Sequence, residues 1–138
     1  MTFLLDTNVV SELRKPGADS RVVAWAGRLP LRDTFLSVIT IRELEAGVLL
    51  VERRDRRQGR LLRLWLEEQV LGTYGDRLLP VDLAIARRAA ALHVPDPRPE
   101  RDALIAATAL VHGLTVATRN VSDFEPTGVS VLNPWETD

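Results

Sequence analysis

The stretch Thr2-Phe3-Leu4-Leu5-Asp6-Thr7-Asn8 decides how the rest of the chain is read. Phe3, Leu4 and Leu5 form a short apolar run without alternation, the pattern of a strand buried on both faces of a parallel sheet. Asp6 ends the run. A carboxylate does not belong in a dry core unless it is paired or holds a metal. Asp6 is therefore expected where the strand leaves the core, and in open α/β sheets the crevice beyond the strand ends is where ligands bind. Thr7 and Asn8 supply short polar side chains that can start a helix. From this stretch alone, Asp6 is as readily a helix cap as a site residue.

Working outward, strands and helices alternate. Asn8 to Lys15 reads as a helix stopped by Pro16-Gly17, and Arg21 to Leu29 as a second helix capped by Asp19 or Ser20. Thr34 to Ile39 is the second expected strand. Thr40 then stands as a helix N-cap, with Glu43 three residues on at capping-box spacing. That helix continues to Leu50, a charged stretch from Glu52 to Arg60 comes next, and a longer helix then runs to about Leu71 before a turn at Gly72 to Gly75. Arg77 to Val81 reads as a short strand that Pro80 restricts to an edge or an end. Asp82 caps a helix from Leu83 to His93, three prolines make Val94 to Pro99 a loop, and Glu100 to His112 is a helix closed by Gly113. Leu114 to Thr118 is a strand, Asn120 to Phe124 a polar loop, and Val129 to Leu132 the last strand. The alternation implies an α/β fold of one domain over residues 1–138, with a mostly parallel sheet of about five strands and helices on both faces.

Composition sets bounds. The 138 residues suffice for a real core, and 46% hydrophobic and 27% charged residues are ordinary for a soluble globular protein. No cysteine is present, which excludes disulfides and thiolate metal sites. No apolar stretch is long enough to span a membrane, and the N-terminus lacks the features of a secretory signal, so a cytoplasmic location is expected. A net charge of −1 does not suggest nucleic-acid binding by bulk charge. Lys15 is the only lysine; every other basic side chain is arginine, the better fork for phosphate, although high genomic GC content gives the same bias.

The acids carry the chemistry. Asp6 follows the first strand, Glu43 opens the helix after the second, and Asp123 follows the Leu114 strand, so parallel topology brings these three to one sheet edge. Asp102 joins them only if the proline-rich loop carries its helix start to the same edge. Carboxylates sharing a crevice raise one another's pKa, and a divalent cation removes that penalty. Oxygen-only donors favour Mg²⁺, or Mn²⁺, over Zn²⁺. Such ions activate water and clamp phosphate oxygens, which points to phosphodiester hydrolysis.

Four segments then carry a specific resemblance: L-L-D-T-N with Ser11, S-V-I-T-I-R-E-L-E-A-G at Ser37 to Gly47, R-D-A-L-I-A-A-T-A at Arg101 to Ala109, and A-T-R-N-V-S-D-F at Ala117 to Phe124. In this order the chain resembles a PIN-domain ribonuclease of the VapC toxin type, with R-N-V-x-D-F and the final N-P-W similar to the FitB branch. The resemblance implies a metal-dependent endoribonuclease with its acid cluster at Asp6, Glu43, Asp102 and Asp123. Thr7, Asn8, Thr118 and Asn120 are supporting or substrate-binding candidates, and Asn120 is an alternative to Asp123 as the fourth site residue. It further implies an RNA substrate (transfer or messenger RNA), a homodimer, and inhibition by a VapB-type antitoxin. A haloacid-dehalogenase-like phosphatase is disfavoured because Asn8 stands where that chemistry needs a second acid. A receiver domain is disfavoured because its paired acids and late lysine are missing. A PIN scaffold that binds without cutting is the remaining alternative.

Other features read two ways. Glu45 lies on a different helix face from Glu43 and is expected to face solvent or form a salt bridge. Arg53, Arg54, Arg56, Arg57, Arg60 and Arg63 form a solvated helix face balanced by nearby acids, a track for an RNA backbone, or a surface that meets an acidic partner. Trp25, Trp65 and Trp135 are expected mainly in the core, with Trp25, Leu49, Leu50 and Leu61 as candidates for a groove receiving an amphipathic helix. His93 and His112 are read as helix-end residues.

Overall fold

A computed structural model describes residues 1–138. Five parallel strands, β1 (Phe3–Leu5), β2 (Thr34–Ser37), β3 (Leu78–Leu79), β4 (Thr115–Ala117) and β5 (Val131–Leu132), lie in the order β3-β2-β1-β4-β5. The opening strand is thus central, as its unbroken apolar run demands. Phe3 and Leu5 face one core with Val9, Val22, Trp25 and Leu36, whereas Leu4 faces the other with Ile105, Ala106, Val116 and Phe124. Full burial of each such side chain contributes about 1.5–3 kcal/mol. The chain builds outward from β1 to β2 and β3 and then returns to the opposite side with β4. The β1–β4 boundary is therefore the point where strand order reverses, the place where open α/β sheets bind ligands beyond the strand ends.

The helices are α1 (Thr7–Arg14), α2 (Ser20–Gly27), α3 (Val38–Arg54), α4 (Arg56–Leu64), α5 (Gly72–Tyr74), α6 (Leu83–Leu92), α7 (Glu100–His112) and α8 (Val121–Phe124). No helix is long and apolar enough to cross a membrane. Gly113 ends α7 at φ +68°, a left-handed conformation suited to glycine. Ile85 and Ala89 of α6 pack against Ala103 and Ala107 of α7.

The structure corrects several local expectations. β2 stops at Ser37, whose hydroxyl accepts from the Ile39 amide at 3.0 Å and caps α3. The β-branched pair Val38-Ile39, which suggested strand, opens the helix instead, so cap and tertiary context override propensity. Thr40 is therefore a buried interior residue of α3 rather than its cap, and Glu43 lies in the second turn, outside a capping box. The charged stretch is almost wholly helical. Asp55 alone breaks it, ending α3 and capping α4 through the amides of Arg57 and Gln58, both at 3.1 Å. A Cβ on Gly59 would meet Glu52 Cα at 2.5 Å, so the missing side chain is what lets α4 lie this close to α3. Beyond α4, Trp65–Leu71 forms π-helical turns that run into α5 where a turn was expected. Asn120 to Phe124 is not a loop: it contains α8, too short for any periodicity to show.

Candidate active site

Asp6 leaves β1 one step beyond the register pair Leu5–Ala117, which sets it beside Thr118 at the end of β4. Its amide donates to the Ala117 carbonyl at 2.9 Å. Its carboxylate is 1% exposed and fully engaged: Oδ1 accepts from the Thr7 amide at 2.8 Å, and Oδ2 from the buried Thr118 hydroxyl at 2.8 Å. Asp6 thus caps α1, and the same carboxylate meets Arg101 from α7. Thr118 Oγ1 in turn accepts from the Asn120 amide at 3.0 Å and from Asn8 Nδ2 at 3.3 Å.

Glu43 reaches the same place from α3. Thr7 Oγ1 donates to Glu43 Oε1 at 2.5 Å and lies 3.2 Å from the Thr40 hydroxyl. Asp102 arrives from α7. A helix that feeds a parallel strand must start at the edge where strands end, so its first turn lies beside Asp6, as the connection required. Asp123, in α8, is exposed and makes no side-chain hydrogen bond, yet its charge reaches Asp102. Asn120 is likewise exposed. Three acids thus converge closely, and Asp123 stands at the rim.

What joins the three is a residue that sequence reasoning left without a role. Arg101 Nη2 donates to Asp6 Oδ1 at 2.7 Å and to Glu43 Oε1 at 2.8 Å, its Nε to Glu43 Oε2 at 2.9 Å, and its Nη1 to Asp102 Oδ1 at 2.9 Å. A cation in the first turn of a helix opposes the helix dipole, and that misplacement was the available signal. A divalent cation is therefore not the one means of making these acids compatible: a guanidinium does so too. With it in place, no three acid or histidine side chains are arranged to chelate one ion. The donor chemistry nonetheless suits a hard divalent cation, because the donors are all carboxylate oxygens and one arginine leaves the three acids with an excess of negative charge.

Titration behaviour follows the same contacts. Burial raises the Asp102 carboxyl, and the neighbouring charges of Asp123 and Asp6 add to the rise. Hydrogen bonding and charge from Arg101 only partly offset it, leaving the group above the usual aspartate range. Burial also pushes Glu43 up, but hydrogen bonds from Arg101 and Thr7, with the Arg101 charge, outweigh it and hold this carboxyl below the usual glutamate range.

A groove of about 300 Å³ leads away from Thr7 and Glu43 past Ser11, Arg14 and Lys15, with Leu44, Val48 and Trp65 in its wall. Farther out, the arginine cluster divides. Arg63 is bound to Glu45, Glu52 and Glu67, so Glu45 is salt-bridged as one of its two readings held, whereas Arg53, Arg54, Arg56, Arg57 and Arg60 are exposed without an ion pair. Leu49, Leu50 and Leu61 are more than half exposed, but Trp25 is 5% exposed and packs edge-on against Phe3, so it belongs to the core and not to a docking groove.

Comparison with known proteins adds independent findings. Residues 3–125 match the model of the PIN domain. The chain is 41% identical to Toxin FitB of Neisseria gonorrhoeae over 96% of this chain and 98% of that one. It is 39% identical to VapC ribonuclease Y4jK of Sinorhizobium fredii, covering 97% of this chain and 98% of the relative. Among solved structures, it is similar to a chain in the crystal structure of FitAcB from Neisseria gonorrhoeae, with a TM-score of 0.91 and 39% identity over 98% of this chain and 99% of that chain.

Proposed function

This chain belongs to the PIN-domain family, and on that premise we propose that it is a divalent-metal-dependent endoribonuclease, the toxic member of a toxin–antitoxin pair. The observation that carries the reading is the meeting of Asp6, Glu43 and Asp102, from three distant segments, at the reversal point of a parallel sheet. The names of the FitB and VapC relatives support the activity and the toxic role.

Asp6, Glu43 and Asp102 are the residues that would hold an ion, with Asp123 or Asn120 at the rim of the site. Mg²⁺ is the metal that the hard oxygen donors favour, with Mn²⁺ as a substitute. When bound, such an ion screens phosphate charge and lowers the pKa of water. The chain's own residues do the rest. Thr118 and Thr7 fix the Asp6 and Glu43 carboxylates, while Asn8 holds the Thr118 hydroxyl. Arg14 and Lys15 line the groove where an RNA backbone would enter, and the unpaired arginines at the α3–α4 tip extend the positive surface for a transfer or messenger RNA. A cell that makes such an enzyme must restrain it, and a VapB-type antitoxin is the proposed partner. The exposed leucines of α3 and α4 provide apolar area for it or for a second copy in a homodimer.

The test is cleavage of total RNA by purified protein, with end mapping. Discrete cuts that stop in EDTA and return with Mg²⁺ or Mn²⁺ are expected; cleavage indifferent to EDTA would refute the metal-dependent reading. One feature favours the alternative of a silent PIN module, namely the guanidinium seated among the acids. Absence of cleavage at saturating Mn²⁺ would establish that alternative.

A further inference from the structure

We propose that Arg101 is a placeholder for the divalent cation: its guanidinium holds Asp6, Glu43 and Asp102 together in the ion-free protein and withdraws when an ion binds. The inference rests on the metal-dependent reading above and adds a two-state device to it.

Three observations converge. First, one nitrogen, Arg101 Nη2, is shared by Asp6 Oδ1 at 2.7 Å and Glu43 Oε1 at 2.8 Å, so these two oxygens already point at a common centre. A Mg²⁺ at that centre would need bonds of about 2.1 Å, a short contraction from the present distances. The space is single, and guanidinium and ion compete for it. Second, the acids and the arginine differ in their freedom. The Asp6 and Asp102 side chains are 1% and 8% exposed, whereas that of Arg101 is 31% exposed. The guanidinium has a path to solvent that Asp6 and Asp102 lack, whereas Glu43 is as exposed as the arginine, so the guanidinium can leave while the two aspartates stay. Third, Arg101 sits in the first turn of α7, where the helix dipole disfavours a cation. Only the three carboxylates compensate for that position. Once a divalent ion neutralises them, the balance turns toward withdrawal.

The alternative is a permanent structural ion pair that keeps its contacts whether or not an ion is present. Metal binding to the full-length protein separates the two without any RNA. By calorimetry with Mn²⁺ on EDTA-stripped protein, Arg101→Gln should lower the Kd about tenfold, because the competing closed state no longer has to open first. In EDTA the variant should melt several degrees below wild type, and the gap should close at saturating Mn²⁺. A Kd that is unchanged or weaker, or a gap that persists in Mn²⁺, would overturn the placeholder role.

Should the variant not fold, the wild-type chain provides the reading. Exchange of the Arg101 Nε proton, followed by NMR, should be slow in EDTA and accelerate as Mg²⁺ saturates the site. Saturation with no change in that exchange overturns the switch alone. If wild type binds neither ion, the metal-dependent reading fails, and the switch fails with it.

Discussion

Arg63 and Arg101 each gather three carboxylates, and their side chains are almost equally exposed, at 27% and 31%. The difference lies in the acids. Glu45, Glu52 and Glu67 are 39%, 35% and 53% exposed and come from the same helical hairpin. Solvent already stabilises their charges, so the cluster fastens α3 to α4 and requires nothing more. Asp6, Glu43 and Asp102 are collected from β1, α3 and α7, and two of them are buried. Arg63 holds Glu45 below the usual range, whereas burial leaves Asp102 above it even beside Arg101. One arginine therefore satisfies the outer cluster and leaves the inner one with unmet demand for positive charge. Glu43 and Glu45, two residues apart on α3, belong to different clusters, although both carboxyls lie below the usual glutamate range.

The comparison breaks most visibly in catalysis. Asp6→Asn should reduce RNA cleavage by about three orders of magnitude, since an ion's stabilisation of transition-state charge is worth several kcal/mol. Glu45→Gln should leave cleavage near wild type, and comparable losses from the two would erase the distinction. Thr118→Val keeps the shape of a buried residue and removes the donor to Asp6 Oδ2. It should weaken Mn²⁺ binding about 10–100-fold, the usual cost of losing a hydrogen bond that orients a ligand, and an unchanged Kd would show that Asp6 needs no such support.

A smaller effect appears in acid titration. In EDTA, carboxyl ¹³C NMR should place Asp102 above the ordinary aspartate value of 3.8 and Glu43 below the ordinary glutamate value of 4.5. The signs are opposite. The stabilisation from Glu43 is present above its unfolded value and is lost as pH falls through its depressed one. Ionising Asp102 costs stability as pH rises from its unfolded value through its raised one. Finding Asp102 at or below 3.8 would remove the case for unmet charge. Smallest of all, Arg63→Ala should lower Tm by no more than a few degrees, with the loss fading in high salt and cleavage intact. A large, salt-insensitive loss would move the outer cluster into the inner one's class.

Much of this was legible beforehand where the code is local. The Phe3–Leu5 run gave a doubly buried central strand, Gly113 closed α7 where expected, and parallel alternation sent Asp6 and Glu43 to one edge. Local reading failed where two local signals competed: Val38-Ile39 read as strand until Ser37 capped them into helix, and a run of charges concealed helix around Asp55. Arg101 was invisible for another reason. Its partners Glu43 and Asp6 lie 58 and 95 residues away, and a hydrogen bond at that separation leaves no periodicity to detect.

By itself, then, the sequence determined the order of strands and helices, the burial of the first strand and the types of oxygen donor available, because apolar periodicity and side-chain chemistry act over a few residues. Tertiary structure alone decided that Asp102 meets Asp6, that Asp123 stays at the rim, and that an arginine occupies the space among the acids. Those outcomes depend on the register of β1 against β4 and on where α7 begins, and electrostatic pairing at such distances exists only after the core has closed.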